Sequence, residues 1–220
     1  MTGLILKDFW VMQKTLRYYL LLMAVYAMLA MTGTFTYSII SAFAVMLGSV
    51  APMSAFAYDE QAKWDKFAAA TPVGRRGVVK ARYLYTLLLL LGGGALSILV
   101  TTVVVRFGKA EVEVWWEPLV VTGVVLLLGM ALNTVILPLL FKFGAEKSRV
   151  ISMAIFVGVF GGMAALSWVS DNGRGELSGL LDSLAALPPA LLIAVPVAVI
   201  FALFWLSYRV SVGIYQKKEL

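Results

Sequence analysis

Between Tyr18 and Tyr58 the chain carries no charged residue. That run is too long for one membrane crossing, since about 20 residues at 1.5 Å rise span the hydrocarbon core. It suits two helices joined by a tight turn near Thr32-Gly33-Thr34. Four more uncharged runs have the length of single spans: Tyr83 to Val105, Pro118 to Phe141, Val150 to Ser170 and Ser183 to Tyr208. The expected fold is therefore an all-α integral membrane protein with six transmembrane helices. Composition agrees, with 61% hydrophobic and 14% charged residues, where a soluble domain has about 25% charged. With 0 Cys and 0 His, disulfides, thiol nucleophiles, His-based metal sites and His general bases are excluded within the chain.

Orientation follows from where the cations sit. With the N-terminus inside, one face holds Lys7, Lys14, Arg17, Lys63, Lys66, Arg75, Arg76, Lys80, Arg82, Lys142, Lys147, Arg149, Arg209, Lys217 and Lys218. The other holds only Arg106, Lys109 and Arg174. This asymmetry assigns both termini of the multi-pass chain to the cytoplasm. The net charge of +6 is then a matter of topology and calls for no nucleic-acid partner.

The stretch from Tyr58 to Arg82 reads as a cytoplasmic loop, because it gathers Asp59, Glu60, Lys63, Asp65, Lys66, Arg75, Arg76, Lys80 and Arg82 between apolar regions. Asp59 to Ala70 forms a plausible short helix with an acidic first turn, which suits the positive helix end. Thr71-Pro72 should stop it. Trp64 and Phe67, three residues apart, project from one face of that helix. They either rest on the bilayer interface or fit a groove in a cytoplasmic partner. The second inner loop, 142–149, is short and basic, and by itself it reads as an anchor on anionic lipid.

Ahead of the first span, Leu4, Ile5, Phe9, Met12 and Leu16 share one helical side, and the amphipathic pattern sets Lys7, Asp8, Lys14 and Thr15 against it. Residues 4–16 are thus expected to lie in the membrane surface. A cleaved signal peptide is disfavoured because the apolar run continues far past a signal's length. On the outer face, Glu111 to Glu117 with Trp115 and Trp116 reads as an interfacial anchor. Asp171-Asn172-Gly173 opens a turn, and Leu177, Leu180, Leu181, Leu184 and Leu187 follow with the spacing of a surface helix.

Within the spans the informative residues are small or polar. Ala154, Gly158 and Gly162 recur every fourth residue, and Gly93, Ser97 and Thr101 form a similar row. Such stripes line a translocation path or let helices approach closely, and packing is the default. Asn133 and Thr134 lie near Pro138, where a buried amide needs a partner. No acid or base sits deep in a span, which argues against a proton or sodium relay.

The N-terminal surface helix, the six spans, the motif Ala70-Thr71-Pro72-Val73-Gly74-Arg75-Arg76 with Lys80-Ala81-Arg82-Tyr83, and the run from Leu137 through Pro138, Phe141 and Phe143 to Lys147 together resemble an ABC-2-type transporter permease. Within that family the chain is similar to the permeases of phenol-soluble-modulin peptide exporters. The resemblance implies an elbow helix at 4–16 and a permease paired with a second permease, a homodimer in preference to a heterodimer. Two separate ABC ATPase subunits would carry the ATP and Mg. It further implies coupling helices at Asp59 to Ala70 and around Phe143 to Arg149, so that Asp59, Glu60, Lys63, Trp64, Phe67, Phe143, Glu146, Lys147 and Arg149 would meet the ATPases. The chain has no GxxxxGK[ST] phosphate loop, so hydrolysis is expected in the partner and this subunit is not expected to be an enzyme. An apolar interior suits amphipathic or hydrophobic cargo, and the resembling branch implies export of membrane-active peptides. Export of lipids or hydrophobic drugs, or a non-transporting scaffold that holds a regulatory partner, are the alternatives.

Overall fold

The computed structural model describes residues 2–33, 35–36, 38–64, 67–68, 74–108, 116–171 and 189–218. Five helices account for nearly all of them: α1 Thr2–Met31, α2 Ser38–Gln61, α3 Gly74–Phe107, α4 Glu117–Asp171 and α5 Pro189–Lys217. The expected turn between the first two is present. Gly33 takes φ 80, and its N–H and that of Thr32 donate to the Ala30 and Met28 carbonyls, closing α1 with the left-handed residue such ends favour. Among the described residues, four helices are long and apolar enough to cross a membrane: Ile39–Gln61 in α2, Gly74–Phe107, Glu117–Gly158 in α4 and Ala194–Lys217 in α5.

Three boundaries differ from expectation. Residues 4–16 are not a separate surface helix, because α1 runs unbroken through Leu16 and Tyr18. No Gly or Pro interrupts that stretch, and helix propagation is favourable wherever nothing stops it. Only 18–31 of α1 is free of charge, shorter than the usual span, and α1 is not among the four. The loop 58–82 shrinks, since α2 continues to Gln61 and α3 already starts at Gly74. The expected helix Asp59 to Ala70 is therefore divided: Asp59 and Glu60 belong to the last turn of α2, and Lys63 at φ 50 follows its end. The Thr71-Pro72 stop, the segment 111–115 and the residues 172–188 lie outside the described residues.

α4 is 55 residues long, or about 82 Å at 1.5 Å per residue, which no bilayer accommodates as one rod. Gly144 divides it with φ 79 and ψ 179. This corner of conformational space is essentially confined to glycine. It marks the junction that the second basic loop was expected to occupy.

The helices pack through three buried clusters. The largest joins α2, α3, α4 and α5 through Phe56, Val79, Tyr83, Leu137, Phe141 and Tyr215. A second docks the apolar side of α1 (Ile5, Phe9, Met12 and Leu16) on Leu47, Ala51 and Ala55 of α2 and Tyr85 and Leu89 of α3. The amphipathic stripe of α1 thus faces protein, while Leu6 and Trp10 remain exposed. The third cluster closes the far end with Met23, Ala30, Ile40 and Val104.

Candidate functional site

The end of α2 enters the basic end of the bundle with two carboxylates, and each is spoken for. Asp59 accepts from Lys7 Nζ at 2.7 and 2.9 Å and pairs with Arg82 Nη2. Asp8 completes the group, with Oδ2 2.9 Å from Arg82 Nη1 and Oδ1 3.2 Å from Lys7 Nζ. Two cations and two carboxylates therefore form a neutral quartet that joins α1, α2 and α3. Asp8 is only 3% exposed. Burial pushes its carboxyl up from the ordinary range, against the pull of Arg82 and then Lys7. The expectation that Asp8 lies opposite the apolar stripe is corrected here. It precedes Met12 by one helical turn, and residues four apart share a face, so both are buried.

Above the quartet, Lys7 Nζ sits 4.5 Å from the Trp64 ring centre, and Arg82 Cζ lies 4.7 Å from that of Phe56. Such cation–π contacts add to the ion pairs. Trp64 stacks on Phe67 with ring centres 6.4 Å apart. Their exposures differ: Trp64 is half-buried against the core, whereas Phe67 is 67% exposed. Lys63 is exposed beside them.

Glu60 points elsewhere, its Oε1 accepting the Ala145 N–H at 2.9 Å just beyond the Gly144 break. Around that break Phe143 is 41% exposed under Lys142, and Glu146, Lys147 and Arg149 are exposed. The two segments expected to act together therefore meet at one place. Arg75 adds a tie by donating to the Gln216 and Lys218 carbonyls at 2.6 and 3.1 Å, which satisfies the end of α5.

Several polar residues of the spans bond to neighbouring helices or to their own helix backbone. Ser97 donates to Ser41 at 3.1 Å, and Ser41 lies 3.0 Å from Thr122, so a hydroxyl chain links α3, α2 and α4. Gly93 and Thr101 are buried on the same face of α3. Asn133 donates to Ser49 at 3.3 Å and to the Gly129 carbonyl at 2.8 Å. Thr134 donates to the Met130 carbonyl. Pro138 has no N–H, which leaves the Thr134 carbonyl without its helical donor. Ser207 Oγ of α5 supplies one at 2.6 Å, and Tyr83 Oη lies 2.7 Å from Ser207 and 2.8 Å from Ser211. This node was not expected from sequence, although an intramembrane proline is a signal that a hydroxyl elsewhere must compensate.

The other stripe behaves differently. Ala154, Gly158 and Gly162 are exposed, and a Cβ on Gly158 or Gly162 would meet nothing within 4 Å. Between α3, α4 and α5 lies an open cavity of about 800 Å³, lined only by apolar residues, among them Leu87, Leu91, Val120, Leu127, Pro196 and Phe201.

Most of the described cations, with the exposed Phe67 and Phe143, thus lie at one end of an apolar helical bundle. The model of the ABC-2 family transporter proteins matches residues 3–216, essentially the whole chain. The chain belongs to that family. It is a multi-pass membrane permease subunit of an ABC transporter, and the family works in association with an ABC ATPase subunit. Comparison with curated proteins and with solved structures gives no match.

Proposed function

We propose that this permease exports amphipathic or hydrophobic peptides, in the manner of the phenol-soluble-modulin exporters it resembles. It works as a homodimer with two ATPase subunits that bind ATP and Mg, in a bacterial cytoplasmic membrane. The chain crosses six times, through 18–31, α2, α3, the two halves of α4 and α5, with both termini in the cytoplasm. The exposed pair Phe67 and Phe143, flanked by Lys63, Glu146, Lys147 and Arg149 at the basic end, carries this reading. Exposed aromatics at a water-facing loop gain by docking in a partner's pocket. ATP-driven closure of the ATPases then moves these loops and shifts the bundle between inward- and outward-facing populations.

The apolar cavity beside α5 supports cargo with a hydrophobic face. The same cavity favours a second reading, a lipid or hydrophobic drug as cargo. The deciding experiment is purification of the tagged chain in nanodiscs with its copurifying proteins, followed by ATP hydrolysis with added ligands. A stoichiometric ATPase stimulated by amphipathic peptides is the expected result. Stimulation by lipids alone selects the second reading, and repeated absence of any ATPase rejects both.

A further inference from the structure

We infer that Glu60 is a positioning residue that fastens the two loop segments at the basic end into one body, so that force delivered to either reaches both. Its part in coupling rests on the ATPase-contact reading above; its geometry stands independently. Glu60 is the residue before the end of α2 at Gln61. A carboxylate is disfavoured at the negative end of its own helix. The side chain instead crosses to the break in α4, where Oε1 accepts the Ala145 N–H at 2.9 Å. That amide is the first after the break, so it has no donor role within its own helix, and the positive end of the restarting helix favours the charge.

Gly144 is required at this junction by its backbone. Its φ of 79 with ψ of 179 excludes side-chain-bearing residues. A Cβ there would also push the Glu60 carboxylate aside. Beneath the hydrogen bond is an apolar base. Phe56, one turn before Glu60, meets Phe141 edge-on at 4.9 Å, and Phe141 meets Tyr215 at 5.4 Å. Ala68 of the first loop and Ala145 of the second lie in that same buried cluster. A polar contact above and an aromatic contact below fix orientation as well as distance, which neither does alone.

The test uses spin labels on Gln61→Cys and Lys147→Cys, two exposed sites in a chain with 0 native cysteines. Dipolar spectra of the permease alone are expected to give one narrow separation. Glu60→Ala and Gly144→Ala should broaden it, whereas Glu60→Gln, which keeps an oxygen acceptor, should restore it. With the ATPase bound, the amount of amphipathic peptide moved per ATP hydrolysed should fall severalfold in Glu60→Ala and recover in Glu60→Gln. Equally narrow spectra in wild type and Glu60→Ala overturn the clasp, whatever partner the chain has. Broadened spectra with an unchanged transport-to-hydrolysis ratio overturn its role in coupling. Failure to find any ATPase instead removes the proposed function, and the spectra still decide the clasp.

Discussion

At the basic end, ion pairs, ring contacts and hydrogen bonds tie α1 to α2 and α3, α2 to α4, and α3 to the end of α5. At the opposite end, α5 presents Leu191, Val195 and Val199 outward, and the cavity separates it from α3 and α4. The contrast follows from solvent. Near water a charged contact has competition and must be built from several partners, while in hydrocarbon an apolar face is already satisfied by lipid. The basic end is thus constructed to keep a shape, and the outer part of α5 is free to change its neighbours.

The strongest challenge to this contrast is Arg82→Ala. It leaves Asp8 buried with Lys7 alone, and breaking a buried pair on one side costs about 3–5 kcal/mol. Thermal unfolding in detergent should show a large drop. Adding Asp8→Asn should recover a substantial part of it, because the residual Lys7–Asp59 pair is neutral. A small effect of Arg82→Ala would mean that the quartet does not hold the end together.

Next in size is Phe67→Ala, which separates contact from stability. Removing an exposed aromatic should leave unfolding unchanged, yet weaken ATPase association by about 2 kcal/mol if Phe67 is an interface anchor. Trp64→Ala should also lower stability, because Trp64 packs on Lys7 and the core. Equal behaviour of the two variants in both assays would erase the distinction between them.

Much of the architecture was legible because apolar run length is a property of the chain itself. Tyr18 to Tyr58 implied two helices, and Gly33 marks the turn between them. What the sequence hid depends on distant partners. That Asp59 meets Lys7 and Arg82, and Glu60 meets Ala145, is set by the approach of four helices and not by local spacing. Helix ends misled for a simpler reason: charges at Asp59 and Arg82 suggested a loop, but charge does not stop a helix, and α2 and α3 both continue past the expected membrane edge. Of the row Gly93, Ser97 and Thr101 all three are buried, and Ser97 meets Ser41 of α2, a contact that local spacing does not specify.

A smaller effect is expected from Ser207→Ala. The Thr134 carbonyl loses the donor that replaces the missing Pro138 N–H, and a buried unpaired group costs about 1–3 kcal/mol. Tyr83 keeps Ser211, which should hold the loss toward the low end of that range. Tyr83→Phe should cost less again, since Ser207 still reaches Thr134. If Tyr83→Phe proved the more damaging, the tyrosine rather than the proline gap would organise this node.

The smallest effect on the chain itself should come from Gly158→Leu. In the isolated permease a side chain at Gly158 meets open space, so stability should not fall and should rise by at most about 1 kcal/mol from the loss of a mid-helix glycine. The neighbouring Val150, Met153 and Val157 are already exposed and apolar, so one more leucine adds nothing foreign to that face. In the assembled transporter the outcome depends on what covers it. Lipid accommodates a leucine readily, but a second permease packed closely over a small-residue stripe would be forced away. Size measurements in nanodiscs distinguish the two: loss of the dimer with unchanged monomer stability places the partner chain on the Ala154, Gly158 and Gly162 face, and an intact dimer moves that interface elsewhere on the bundle.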